Sequence, residues 1–422
     1  MASRFPPGNP GEGGRLASRS RPDSARAGTR STGDLPHAVG SLFRWAREAQ
    51  RLSQDQVAEL TEGRRGQVSR TMVSAIECGQ CLPGLETFVA LSCALHVNPM
   101  EVLERVDLAA KLPLDITELP PEELRSRAED YFWAGDYRSA LAAYDAMRDQ
   151  LLLDPPQQHA ELSRRHARIE INRAAALRRC CALSAARTAA ERAIALADGI
   201  PELQAEAYVV LATVLVQSGL LPFAQDAAEH AVRLSIGQPA HGLAWIVKGE
   251  TFFALRRFED ARAAFSLARK LVRQARDRKH AINVEGNLGA SLLGLGRRAL
   301  ARQRFARAVR LAKEHDVPAA EAFWLVELGR VLLEEGKLEE AEAHARAALR
   351  IAKPADQALT IFRAEWLRHL VSRARGSAGD RHRLAYLRKL YVRVREHRGL
   401  SVIREYEAAM IEPRAERKEG AG

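Results

Sequence analysis

The chain has 422 residues, enough for two or more domains. It contains no apolar run of the ~18–20 residues that a membrane-spanning helix needs and no apolar secretion signal, so we expect a cytoplasmic protein without a membrane partner. The formal net charge of +11 favours a polyanionic partner, and the abundance of Ala, Leu, Arg and Glu predicts a helical protein.

Residues 1–35 consist mainly of Gly, Pro, Ser and Arg, with six arginines against three acidic residues. Such a segment buries too little apolar surface to offset its ordering entropy, so we predict a disordered basic arm. The arm is either an untethered tail or a segment that follows DNA phosphates.

Residues 36–108 contain five short apolar stripes at helical spacing. In chain order the stripes are Leu42, Trp45, Ala46 and Ala49; Val57, Ala58 and Leu60; Val73 and Ile76; Leu85, Phe88, Leu91 and Leu95; and Met100, Val102 and Leu103. Ser53 and Ser69 precede the second and third stripes as candidate N-caps, and Gly79 can end the third helix. The same residues include seven Lys or Arg against nine Asp or Glu, so net charge supports DNA binding by this region only weakly.

The segments LSQDQVAEL, VSRTMVSAIECG and LPGLETFVALSCALHVNPMEVLE resemble, in this order, the Xre/Cro-type helix-turn-helix of phage repressors and many bacterial regulators. The resemblance covers about residues 40–106 and implies a five-helix domain whose third helix enters the DNA major groove. The turn between Leu60 and Val68 is about five residues longer than in that family. It carries Arg64 and Arg65, which either clamp a phosphate or belong to a long solvated loop.

Transferred to this sequence, the resemblance implies specific DNA contacts. Gln54 is expected to touch a backbone phosphate, and Arg70 and Thr71 are expected to contact bases. Ser69 and Ser74 lie at the start and on the exposed face of the same predicted helix. The planar guanidinium of Arg70 suits guanine because it can donate two hydrogen bonds to O6 and N7.

The five cysteines form an odd set in a chain expected to be cytosolic, which argues against a disulfide framework. Cys78 and Cys81, together with Cys93 and His96, have the types and pair spacing of zinc ligands. They form a zinc site, a redox-sensing thiol pair or ordinary surface thiols. We expect no metal and no cofactor.

The prolines of residues 109–121 interrupt helix and predict a linker. Over residues 122–353 a pattern recurs, in which a small residue precedes a turn and is followed by alanines and a bulky residue at helical spacing. The aligned small residues are Ala128, Ala174, Ala212, Gly249, Gly289 and Gly329. The pattern resembles tetratricopeptide repeats, with steps of 37 to 46 residues against the usual ~34, and implies a superhelical solenoid of about six repeats.

Residues 354–412 are expected to form a degenerate repeat and C-terminal capping helices, and residues 413–422 a disordered tail. The basic stretch 381–404 is either a solvated helix face or a second contact to the DNA backbone. In the repeat register, eight polar residues could project into the concave groove and contact an effector. They are Asn172, Glu206, Thr213, Gln217, Glu250, Asn283, Asn287 and Arg330.

The sequence thus predicts an all-α protein, an Xre/Cro-type helix-turn-helix followed by a tetratricopeptide solenoid. No phosphate loop and no HExxH motif is present, so we expect no enzyme. The resemblance implies a homodimeric, sequence-specific transcription regulator of double-stranded DNA whose repeats bind a peptide or protein effector. The alternative is a protein-docking scaffold in which the helix-turn-helix is a tether or a protein contact.

Overall fold

The computed structural model describes residues 34–50, 52–97, 99, 102, 119–153, 159–376 and 381–419. Within these residues the chain forms nineteen α-helices and no strand, which confirms the all-α prediction. Most of the predicted arm, most of the predicted linker and the last three residues of the predicted tail lie outside the described residues.

The predicted starts of two N-terminal helices are confirmed. The first four helices are α1 (Asp34–Ala49), α2 (Gln54–Leu60), α3 (Arg70–Glu77) and α4 (Leu85–Ala94). The Ser53 hydroxyl caps α2 by accepting from the Gln56 amide, while the Gln56 side chain accepts from the Ser53 amide. The Ser69 hydroxyl caps α3 by accepting from the Met72 amide at 3.3 Å. Gly79 follows α3 with a φ of +68°, a left-handed conformation that suits glycine.

Apolar side chains from all four helices meet in one small core. Its buried members include Leu42, Phe43, Val57, Val73, Ile76, Leu91 and Leu95. Val102 also lies in this core, but most of the fifth predicted helix is outside the described residues. The core fixes α2 and α3 relative to each other, and so positions the surface that they share.

The long turn between α2 and α3 is packed against the domain. Thr61 is fully buried, and its hydroxyl donates to the Ala58 carbonyl at 2.8 Å and accepts from the Val68 amide at 3.2 Å. Gly66 has a φ of +84°, and a Cβ there would lie 2.3 Å from the carbonyl oxygen of Glu86 on α4. The extra residues therefore form a closed loop with a defined conformation.

The remaining helices form a series in which each packs on the next. They are α5 (Pro121–Ala134), α6 (Tyr137–Leu153), α7 (His159–Arg179), α8 (Leu183–Leu196), α9 (Pro201–Ser218), α10 (Leu221–Leu234), α11 (His241–Ala254), α12 (Phe258–Gln274), α13 (Arg278–Gly294), α14 (Arg298–Glu314), α15 (Pro318–Glu334), α16 (Leu338–Ala352), α17 (Ala358–Ala374), α18 (Arg381–Val394) and α19 (Ser401–Glu419). The first helix of each pair, here called helix A, has an odd number, and the second, helix B, an even one. A seventh pair, α17 and α18, lies where the sequence predicts a degenerate repeat. Helix α19 extends into the predicted tail as far as Glu419, since the residues there are mostly good helix formers.

The six aligned small residues are all buried on A helices. They are small because a B helix lies against them. A Cβ on Gly249 would lie 2.5 Å from the Phe265 ring, and one on Gly289 would lie 3.0 Å from the Phe305 ring. The small residue on helix A therefore makes room for the aromatic ring on helix B of the same repeat, and this contact explains the recurring sequence pattern.

Gly286 on α13 meets the next repeat in the same way. A Cβ there would lie 2.3 Å from the ring of Trp324, which is itself buried. We expect Gly286→Ala to destabilise the repeats by about 1–3 kcal/mol in urea unfolding, because the ring has no room to move. An uncrowded helix would instead gain about 1 kcal/mol from this change, so a stabilised variant would contradict the packing described here.

The first repeats also contact the last ones. The amide of Ser184 on α8 donates to the carboxylate of Glu396 at 3.2 Å, across 212 residues of sequence. The amide of Gly399 donates to the carbonyl of Gln217 on α9 at 2.8 Å, and α5 contacts α15. The superhelix is therefore closed by contacts between its early turns and its late loops. We call this contact the seam, with Trp133, Ser184 and Gln217 on one side and His280, Glu396 and Gly399 on the other.

Candidate nucleic-acid interface and repeat groove

The N-termini of α2 and α3 lie side by side at the surface. The Nε atom of Arg70, the first residue of α3, is 3.7 Å from Oδ2 of Asp55 in the first turn of α2. The Arg70 side chain is 69% exposed, and its neighbour Thr71 is also exposed. The Ser69 hydroxyl caps α3, and Ser74 is half-buried one turn further along. Helix N-termini with exposed donors are suited to phosphate groups.

Gln54 is held in place by a buried carboxylate. Its Nε2 donates to Oε2 of Glu77 at 2.8 Å. Glu77 also accepts two hydrogen bonds from Arg47, at 2.7 Å from Nε and 3.0 Å from Nη2. The hydrogen bond with Glu77 is the main reason that the pKa of Arg47 is raised. Sequence reasoning did not identify Arg47, whose hydrogen bonds to Glu77 complete the support of Gln54.

The loop between α2 and α3 presents Arg64 and Arg65 to solvent. The Nε atom of Arg65 is 3.8 Å from Oε1 of Glu86, but both side chains are largely exposed, so this ion pair contributes little. Both arginines are therefore accessible to an anion, and their role as phosphate contacts stays a prediction.

All eight residues predicted to line the groove are half-buried on A helices, from α7 to α15. The structure brings two of them together, since Nδ2 of Asn287 donates to Oε1 of Glu250 at 3.2 Å. Others bond to different partners. Glu206 accepts from Arg168, and the Thr213 hydroxyl donates to a carbonyl of its own helix at 2.9 Å. Asn172 and Asn283 lie on α7 and α13.

Glu250 lies close to arginines that the sequence analysis did not identify. Burial raises the pKa of Glu250, although the charge of Arg178 opposes this rise. Burial lowers the pKa of Arg178, and its neighbour Arg179 lowers it further. Charged groups that lose part of their hydration need partners of opposite sign. A ligand that carries both hydrogen-bonding groups and charge would therefore suit the surroundings of Glu250.

Two of the predicted groove residues are already engaged by the C-terminal part of the chain. Nη2 of Arg330 donates to Oε1 of Glu405 on α19 at 2.8 Å. The carbonyl of Gln217 accepts from Gly399 in the turn before α19. Nη2 of Arg330 becomes available to a ligand only after Glu405 has moved away.

Residues 43–102 match the helix-turn-helix family, and residues 205–412 match the MalT-like TPR region. The chain combines an Xre-type helix-turn-helix domain with a tetratricopeptide-repeat domain. The first match includes the facing N-termini of α2 and α3, and the second runs from α9 into α19. The resemblance read from the sequence is thus confirmed for both parts. None of the curated proteins matches the chain.

The solved structures to which this chain is similar include two Rap proteins and PlcR. A Rap protein complexed with competence and sporulation factor is 14% identical, covers 72% of this chain and 99% of its own, and has a TM-score of 0.50. The Rap conjugation gene regulator of plasmid pLS20, in complex with the Phr* peptide, is 13% identical, covers 87% of this chain and 98% of its own, and has a TM-score of 0.51. PlcR of Bacillus thuringiensis, in complex with the peptide PapR7 and DNA, is 12% identical, covers 67% of this chain and 96% of its own, and has a TM-score of 0.39. The likeness to the two Rap proteins shows the tetratricopeptide fold.

The cysteines of the helix-turn-helix domain are free thiols. Among the residues that the structure describes, no group of three or more His, Cys, Asp or Glu side chains is placed to hold a metal ion, so Cys78, Cys81, Cys93 and His96 do not form such a group. Cys181 in the tetratricopeptide domain is buried, and burial raises the pKa of its thiol to about 11. In the same described part of the chain, no helix is long and apolar enough to cross a membrane.

The basic stretch 381–404 contributes to the internal structure of the tetratricopeptide domain. Arg393 makes two hydrogen bonds of 2.8 Å to Asp356, from Nη1 and Nη2. The Arg383 guanidinium donates to the carbonyl of Arg368 at 3.2 Å. Arg383 and Arg393, two of the basic residues that could contact DNA, therefore hold α18 against the preceding part of the domain.

Proposed function

We propose that the protein is a sequence-specific, DNA-binding transcription regulator whose tetratricopeptide domain binds a peptide or protein effector. The observation that carries this proposal is the pair of helix N-termini at α2 and α3. Gln54 is fixed there by Glu77, and Arg70 and Thr71 are exposed at the start of the predicted recognition helix. This arrangement can bind a phosphate and base edges of one major groove together.

The effector is proposed to be a peptide or a segment of a protein. The two Rap proteins whose fold resembles this chain were solved with competence and sporulation factor and with the Phr* peptide. In this chain, the A helices of the groove carry amide and charged side chains, among them Asn287, Glu250 and Arg330. Such groups can pair with the backbone amides and the terminal charges of a peptide.

The protein is proposed to act as a homodimer, so that two recognition helices reach half-sites about one DNA turn apart, ~34 Å. The surface of the helix-turn-helix domain supports this. Leu82, Leu85 and Val89, in and just before α4, are exposed, and Leu85 is 79% accessible. Exposed aliphatic side chains at helical spacing are suited to an interface with a second copy.

The two domains contact each other, so effector binding to the repeats can change the position of the helix-turn-helix domain. Helix α1 of the helix-turn-helix domain contacts α6 of the first repeat. A change in the curvature of the solenoid would therefore move the helix-turn-helix domain, and the distance between two recognition helices would change with it. Such linkage requires that the effector bind one curvature more tightly than the other.

The test is selection of DNA from a randomised library with purified full-length protein at near-physiological salt. Recovery of an inverted repeat supports a dimeric, sequence-reading regulator. Failure to recover any motif with a folded protein would contradict the proposal. Affinity should also fall steeply with salt, because each phosphate contact releases counterions.

Arg70→Ala is expected to lower affinity by about 1–3 kcal/mol per half-site and to relax base preference at one position. The reason is that its guanidinium is the exposed donor at the start of α3. Arg187→Ala is a matched control, since Arg187 is an exposed arginine on the tetratricopeptide domain, paired with Glu191. An Arg70→Ala protein that selects the same motif as the unchanged protein would refute the assignment of Arg70 as a base reader.

A second candidate function is supported by the charge of the N-terminal domain. Residues 36–108 have a slight excess of acidic over basic side chains, which disfavours a polyanion. In this alternative the helix-turn-helix contacts another protein, and the tetratricopeptide domain is a docking scaffold. The alternative predicts no selected DNA motif and DNA binding that is weak at physiological salt.

A further inference from the structure

The turn between α18 and α19, residues 395–400, is docked unusually closely on the third repeat. A Cβ at Gly399 would lie 1.9 Å from the carbonyl oxygen of Val216 on α9, so no other residue fits there without moving the turn. Gly399 does not have a positive φ. Its own backbone therefore does not require glycine. The requirement comes from the contact with α9.

The turn satisfies backbone groups at two helix ends. Helix α8 has no side-chain cap of its own, and the Glu396 carboxylate accepts from the amide of Ser184 in its first turn. The Gln217 carbonyl in the last turn of α9 accepts from the Gly399 amide. Helix ends leave such groups without intrahelical partners, and a carboxylate at a helix N-terminus is also favoured by the helix dipole. One short turn therefore caps the start of α8 and the end of α9.

The turn buries one of its residues, His397, whereas Arg395, Glu396 and Arg398 are exposed. His397 is completely inaccessible to solvent, and burial lowers the pKa of its ring to about 4. The charges of Arg178 and Arg363 lower this pKa further, so the ring is neutral at physiological pH. Cys181, in the turn between α7 and α8, belongs to the hydrophobic core of the C-terminal repeats. The seam thus includes polar, aromatic and apolar contacts of the kind found inside domains.

We propose that the ends of α8 and α9 form a docking site for a turn with an acidic side chain followed three residues later by glycine. The chain's own residues 395–400 occupy this site, and a peptide of the same chemistry in trans replaces them. Replacement releases the turn before α19 from α8 and α9, so that the contacts of α5 with α15 and of Trp133 with His280 alone hold this side of the seam. The link between the first repeat, which α1 contacts through α6, and the last repeats is thereby weakened. The effect on DNA rests on the proposed function, whereas the docking site does not.

The ligand chemistry follows from the three groups that the site offers. The Ser184 amide requires an acceptor, and a carboxylate is the strongest one at a helix N-terminus. The Gln217 carbonyl requires a backbone N–H, and the closeness of the Val216 carbonyl excludes any side chain on that residue. A peptide that caps the two helices in this way needs a carboxylate and, three residues later, a glycine, as in Glu396 and Gly399.

The experiment is hydrogen exchange of the full-length protein, followed by mass spectrometry of segments 180–190 and 214–222. Gly399→Val should raise exchange in both segments at least tenfold, because the turn can no longer dock. Arg398→Ala is the matched control, since Arg398 is exposed in the same turn, and it should leave exchange unchanged. If Gly399→Val does not fold, Glu396→Ala tests the same site at the start of α8.

A synthetic peptide of residues 393–402, RVREHRGLSV, is then added to the Gly399→Val protein. It should restore protection of both segments, and the same peptide with valine in place of glycine should not. Binding to the unchanged protein should be at least tenfold weaker, because the chain's own turn competes. Unchanged exchange in a folded Gly399→Val protein, or a peptide without effect, would overturn the proposal. DNA selection with the unchanged protein tests the regulator function separately, so failure of either proposal is distinguishable.

Discussion

Replacing Glu170 with alanine is expected to lower the free energy of unfolding of the tetratricopeptide domain by about 3–5 kcal/mol. Glu170 is completely buried on α7. Its Oε2 is 2.9 Å from Nη1 of Arg173, and its Oε1 is 3.6 Å from Nη1 of Arg148. Both arginines are buried as well, so the variant would leave two positive charges in the core with one carboxylate, Asp145, between them.

The pKa of Glu170 predicts how this effect depends on pH. Burial acts to raise this pKa, but the charges of Arg173 and Arg148 outweigh it and lower the pKa below its ordinary value. A carboxylate with a lowered pKa in the folded state stabilises the protein at neutral pH, and this stabilisation is lost as acid protonates it. The difference between the unchanged protein and Glu170→Ala should therefore shrink as pH falls below about 4.

The measurement is urea unfolding followed by circular dichroism, with Glu191→Ala as the control. Glu191 pairs with Arg187 at 2.7 Å on α8, and both side chains are about half exposed. Exposed pairs of this kind contribute about 0.3–0.5 kcal/mol. A loss below about 1 kcal/mol for Glu170→Ala would show that the buried network does not stabilise the first two repeats.

The second large effect is expected for Glu77→Ala in the helix-turn-helix domain. The variant removes the carboxylate that accepts two hydrogen bonds from the Arg47 guanidinium, which is 13% exposed, and it releases Gln54. Arg47 then keeps only Glu48, at 3.2 Å, and the Leu52 carbonyl, at 3.0 Å, as partners. Breaking one partner of a buried pair costs about 3–5 kcal/mol. A domain of about 60–70 residues has a stability of only about 3–10 kcal/mol, so most of its stability would be lost. DNA binding should disappear together with the fold of α1 to α4.

This prediction is measured by thermal unfolding of the full-length protein and by DNA binding at two temperatures. Glu86→Gln is the control, because Glu86 lies 3.8 Å from Arg65 and both side chains are largely exposed. The control should change stability by no more than about 0.5 kcal/mol. Normal DNA affinity of a Glu77→Ala protein at both temperatures would mean that this network does not support the recognition surface.

Local spacing was enough to predict most of the helices and the two families. Ser53 and Ser69 identify helix starts because a cap involves residues only three positions apart. Gly249 and Phe265 identify a repeat because helices A and B of one pair are joined by a short turn and must pack on each other. These features depend on neighbours in sequence, so the sequence by itself determined them.

The partners of the predicted groove residues depended on the tertiary structure. Arg330 was predicted to face an effector, but it pairs with Glu405, which lies 75 residues further along the chain. The seam joins Ser184 to Glu396 in the same way, across the five helix pairs from α9 to α18. Whether such distant residues meet depends on the sum of the small rotations between successive repeats. No local pattern specifies that sum, so only the assembled superhelix decided which groove residues were already paired and where the two ends of the solenoid meet.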